Sequence, residues 1–168
     1  CRSEPRPDQF EVMKNRYENK RDIFVNKFAM GSKTEMRKFN QIEGGGRSSF
    51  YISTVDDLSK QEKIDVRIET VDAYVRENKI RNINLMKIDV QGFEDEVLQG
   101  AKETLKSNNI DIIEIEIIVG NMYDKTLSFN KIENLIYPYG YKIFALTNHH
   151  SSDQHSTNIM VQPNLQFD

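Results

Sequence analysis

Residues Leu85 to Asn108, LMKIDVQGFEDEVLQGAKETLKSN, leave the chain little choice of fold. Leu85, Met86, Ile88 and Val90 form a short apolar run interrupted by Lys87 and Asp89. Two residues apart in a strand, those charges share one face. Gly92 lets the backbone turn tightly, and beyond it Phe93, Val97, Leu98, Ala101 and Leu105 recur along one face of a helix. The spacing predicts strand, glycine turn and one amphipathic helix, which is half of a βαβ unit. Ligands of open α/β sheets bind beyond the carboxyl ends of such strands. Asp89 falls at that end.

The elements around this unit fit the same class. With 168 residues, 38% hydrophobic and 29% charged, the chain suits one α/β domain. Ile110 to Gly120, IDIIEIEIIVG, is a β-branched run of buried-strand length. It puts Glu114 and Glu116 on one face, where unpaired carboxylates are costly. Lys87 and Asp89 on the neighbouring parallel strand are the expected partners, giving a cluster of Lys87, Asp89 and Glu116. Asp8, with Glu11 three residues on, predicts a capping box before a helix carrying Phe10, Met13 and Tyr17. Ile23 to Gly31 reads as a strand ending in Phe28, Ala29 and Met30.

Ser32 to about Asp65 reads as a polar insertion with short strands at MRKFNQI and SSFYIS. Its Gly44-Gly45-Gly46 lacks phosphate-loop spacing. Val66 to Glu69 is a short extended piece, and Thr70 caps a helix with Asp72 in its first turn, a structural place for an acid. Ser128 to Tyr139 carries a helical stripe closed by Pro138 and Gly140. YKIFALT and NIMVQP then form two strands joined by Asn148 to Ser156. That loop holds His149, His150 and His155 with Asp153, in no zinc-like spacing, and no metal site is expected. A histidine there acting as a general base is a further alternative.

A net charge of −3 gives no global pull toward nucleic acid. No apolar run reaches the roughly 18 residues of a membrane span, and no signal peptide is visible. The single cysteine, Cys1, suits a reducing compartment, so a cytoplasmic location is expected.

K-I-D-V-Q-G-F-E-x-E-V-L-x-G-A, Lys87 to Ala101, resembles the signature of FkbM-type methyltransferases, and E-I-x-x-x-x-x-Y, Glu116 to Tyr123, resembles a second segment of that family. The family more often has Glu where this chain has Gln91. The resemblance implies a Rossmann-like methyltransferase sheet, mostly parallel with an antiparallel C-terminal strand. It also implies S-adenosylmethionine as cofactor and O-methylation of a sugar or small-molecule hydroxyl, hence a small-molecule or glycan acceptor.

On the family pattern, Glu4 matches the acid that accepts hydrogen bonds from the cofactor ribose; an exposed turn acid is the plain alternative. Phe28, Ala29 and Met30 match the adenine side, or are ordinary core. Asp89 faces the transferred methyl, with Lys87 and Glu116 orienting it or forming a structural ion pair. The family's first strand and glycine-rich turn have no counterpart in these residues, so the sheet is expected to be truncated at its N-terminal side. A non-catalytic α/β binding domain, or an inactive fragment of such an enzyme, is the competing expectation.

Overall fold

The computed structural model describes residues 1–42, 48–54, 56–57, 59, 61–118, 123–125, 127–148 and 156–163. Three sheets form among them. β1 (Arg2–Ser3) pairs in parallel with β2 (Val25–Asn26). β3 (Ala29–Met30) runs parallel to β5 (Gln61–Glu69), which pairs antiparallel with β4 (Glu35–Ile42). The third sheet has the order β6-β7-β9-β8, built from Ile83–Ile88, Ile110–Ile118, Ser156–Pro163 and Tyr141–Asn148. Its β6–β7 pair is parallel, and the last two strands run antiparallel, as expected.

The third sheet holds the main core. Ile113, Ile115 and Ile117 alternate along β7 and are essentially inaccessible to solvent, together with Val97, Leu98 and Leu105 from the helical side. The β-branched residues suit a strand covered on one face by helices. Among the described residues five α-helices accompany the sheets: α1 (Pro7–Tyr17), α2 (Val71–Glu77), α3 (Glu94–Gln99), α4 (Lys102–Lys106) and α5 (Phe129–Ile136). Thr70 caps α2 as expected, its hydroxyl accepting the Ala73 N–H at 3.0 Å. Tyr141, fully buried, ties β8 to β7: its hydroxyl donates to the Ile110 carbonyl at 3.0 Å and accepts the Ile110 N–H at 3.3 Å.

Several expectations change. The single helix after Gly92 is two, α3 and α4. The Gly100 carbonyl accepts the Asp72 N–H at 2.9 Å, and the Thr104 N–H, its helical partner, goes to the Asp72 carboxylate at 2.8 Å. Gly100 also packs so closely that a Cβ there would come 1.9 Å from the Gly31 carbonyl oxygen. Asp8 does not cap α1. Arg6 holds the cap position with no side-chain cap, Pro7 starts the helix, and Asp8 in the first turn grips the Arg6 guanidinium instead, at 2.6 Å. Ile23 to Gly31 is not one strand. The chain bends at Lys27 and Phe28, pairing first with β1 and then with β5, while the Phe28 ring packs on Tyr74 of α2 at 5.9 Å. The extended piece at Val66 begins earlier, at Gln61, because β4 supplies a ladder for the charged QEKID segment. SSFYIS forms bridges at Ser49 and Ser53 rather than a strand. The Gly44–Gly46 run and the three histidines lie outside the described residues.

Candidate functional site

The ends of β1, β3 and β6 open onto one cleft of about 1010 Å³. Glu4 comes from the end of β1, Ala29 and Met30 from β3, and Lys87 and Asp89 from β6 and the turn after it. Phe39, Phe50 and Phe93 complete an aromatic wall, with Phe50 and Phe93 ring centroids 4.5 Å apart. Phe28 and Glu116 are not lining residues. Phe28 packs on α2, and Glu116 stands behind Asp89 on β7.

The turn after β6 carries the most elaborate hydrogen bonding. Gln91 and Gly92 both have positive φ, 55° and 96°, so the chain reverses within two residues. Glu94 Oε1 accepts the Gly92 N–H at 3.0 Å and the Val90 N–H at 3.3 Å, holding the reversal from inside. Burial pushes the Glu94 carboxyl up to about 7, against those backbone donors.

Asp89, exposed at the cleft, lies 3.6 Å from the Lys87 ammonium, and Lys87 also reaches Glu114 at 3.9 Å. The strand register accounts for this, since it sets Lys87 opposite Glu114 and carries Glu116 past the end of β6. Glu116, 5% exposed, joins the group through Gln91, whose Nε2 lies 3.2 Å from both Asp89 Oδ1 and Glu116 Oε2. Tyr123 donates to Gln91 Oε1 at 3.0 Å, and Ser49 donates to the Gln91 carbonyl at 2.7 Å. Partial burial raises the Asp89 pKa, but contacts with Glu116, Gln91 and Lys87 outweigh it and hold the carboxyl below its ordinary value.

In the same cleft, the Arg6 N–H donates to Glu4 Oε1 at 2.9 Å. Burial pushes the Glu4 carboxyl above its ordinary value, more than this hydrogen bond and the Arg6 charge lower it. Arg6 is itself buried and clamped by both Asp8 oxygens, at 3.2 and 2.6 Å.

Sequence reasoning left Gln91, Glu94 and Phe50 without site roles. Gln91 and Glu94 lie inside the K-I-D-V-Q-G-F-E motif, which was the available signal; Phe50 had none. Among the described residues, no group of His, Cys, Asp and Glu is arranged to hold a metal ion, and no helix is long and apolar enough to cross a membrane.

Carboxylates at strand ends around an open cleft are the arrangement in which open α/β sheets bind ligands. The FkbM methyltransferase domain model matches residues 3–143, so the chain belongs to the FkbM methyltransferase family. The crystal structure of an FkbM methyltransferase from Methylobacillus flagellatus KT has a similar fold, with TM-score 0.60 and 17% identity over 95% of this chain. This chain spans 35% of the length of that one. No curated protein matches it in sequence.

Proposed function

We propose that this cleft is the donor and acceptor site of an S-adenosylmethionine-dependent O-methyltransferase acting on a sugar or other small-molecule hydroxyl. The observation that carries the reading is that Glu4 and Asp89, from separate sheets, wall one cleft.

The residues present suit the cofactor. Glu4 is an acceptor short of donors in a partly dry setting, and a ribose diol brings two. Ala29, Met30 and the aromatic wall offer the apolar surface that a purine takes. The bound cofactor supplies an electrophilic methyl group on sulfur. The protein's share would be orientation and proton transfer: the cleft would hold the acceptor hydroxyl toward the methyl group, and Asp89 would accept the hydroxyl proton. Lys87 keeps Asp89 ionised through its positive charge.

The cleft volume reaches the top of the usual range for small-molecule sites, roughly 300–1,000 Å³. Its lining also includes the apolar side chains of Val75, Ile83 and Leu85. β1 and β6 each have one strand partner in the described sheets. A Rossmann-like arrangement would seat a further parallel strand between them.

Calorimetric titration with S-adenosylhomocysteine tests the reading. Binding is expected, weakened strongly by Glu4→Ala. Asp89→Asn should retain binding and lose methyl transfer by about 10²–10⁴-fold, the usual share of a positioned base. Absence of binding by the whole protein would refute the assignment.

A further inference from the structure

Every polar group of the Gln91 side chain has a partner: Asp89 and Glu116 at its nitrogen and Tyr123 at its oxygen. The hydroxyl of Tyr123 donates, which fixes the amide with its NH₂ toward the two carboxyl groups. Its backbone carbonyl is held by Ser49. A side chain so fully engaged, at a left-handed position beside the cleft, is set up to hold something else in place.

We propose that Gln91 is the positioning residue of Asp89. Its amide bridges Asp89 to Glu116 and so fixes the Asp89 carboxyl at the cleft as a proton acceptor. This rests on the reading of Asp89 as the base in methyl transfer.

The amide donates to one oxygen of each carboxyl group, and donors to the charged form keep a carboxyl group ionised. Asp89 is exposed and has the Lys87 ammonium at 3.6 Å. Glu116 is almost fully buried, opposite Asn158 of β9 in the strand register. Among the described residues, other ionisable groups near Asp89 and Glu116 include Glu114 from β7, Glu94 from α3 and Tyr123. Glu94 remains largely protonated up to about pH 7 and adds little charge below it.

The amide is the right group for the task. A carboxylate at this position would remove two donors and add a negative charge beside Asp89. An apolar side chain would remove the donors alone.

Carbon-13 NMR titration of the Asp89 carboxyl, in the wild type and in Gln91→Glu, Gln91→Leu and Tyr123→Phe, tests the proposal without donor or acceptor. The wild-type midpoint should lie below 3.8. Gln91→Glu should raise it by about one unit or more, the usual effect of an added like charge at contact. Gln91→Leu should raise it less. Tyr123→Phe should act in the same direction more weakly, because the amide is then free to turn. The acidic limb of the kcat profile should move in step, with the KM for the donor unchanged. A midpoint that stays put in both Gln91 variants, with folded backbone amide spectra, overturns the proposal. If either Gln91 variant does not fold, Tyr123→Phe decides, since it leaves Gln91 in place. A moved midpoint in a protein without methyl transfer supports the bridge and instead sinks the activity reading.

Discussion

Glu94 accepts the N–H of Gly92, two residues before it, at 3.0 Å, so the turn that presents Asp89 is tied down by a buried carboxyl group. With a folded pKa near 7 against an ordinary 4.5, Glu94 favours the folded state fully below pH 4.5, and that contribution is lost as pH rises through 7. The loss amounts to about 3 kcal/mol at most. Glu94→Gln, which keeps an acceptor but cannot ionise, should flatten that part of the stability curve in urea melts at several pH values. Glu94→Leu leaves two N–H groups without this acceptor and should cost about 2–4 kcal/mol at pH 5.

Glu4 gives a separate pH signature. Its carboxyl is held above the ordinary value by burial, and only the ionised form can accept both hydroxyls of a diol. Donor affinity should therefore fall as pH drops through that raised value, and binding near it should release protons. Calorimetry in two buffers of different ionisation enthalpy measures the release. Glu4→Gln should abolish it and weaken binding about ten- to hundredfold, as expected for losing a charged hydrogen bond.

Gly100→Ala should be among the most damaging single-methyl changes in the chain. The added carbon meets the Gly31 backbone at 1.9 Å, and a backbone group cannot swing aside as a side chain does. A cost of about 3 kcal/mol or more is expected, beyond the usual range for overpacking. Thermal denaturation reads it directly.

Asp72 ties α2 to α4 by accepting the N–H groups of Glu103 and Thr104 at 3.0 and 2.8 Å and the Thr104 hydroxyl at 2.6 Å. Asp72→Ala should destabilise the protein by about 1–2 kcal/mol, as for a lost helix cap, with donor affinity unchanged. A large drop in affinity at constant stability would contradict the structural role.

Local chemistry was legible where it was self-contained. Thr70 announced its helix, β-branched residues announced β7, and the last two strands stood out between polar stretches. Reading failed where distant residues intervened: Asp72 takes the hydrogen bonds that would carry the helix past Gly100, β4 recruits Gln61 to Asp65 into a strand, and Phe28 turns toward Tyr74. The site follows the same division. Asp89 and Glu116 could be singled out from strand parity and the motif. Their linkage through Gln91 depends on contacts 25 and 32 residues away along the chain. No periodicity encodes such contacts.

The cleft walls come from three sheets that share no strand. A molecule lodged there would act as mortar between separately bonded pieces, so occupancy and cohesion should rise together. At a hundred times its dissociation constant such a guest adds about 2.7 kcal/mol to the folded state.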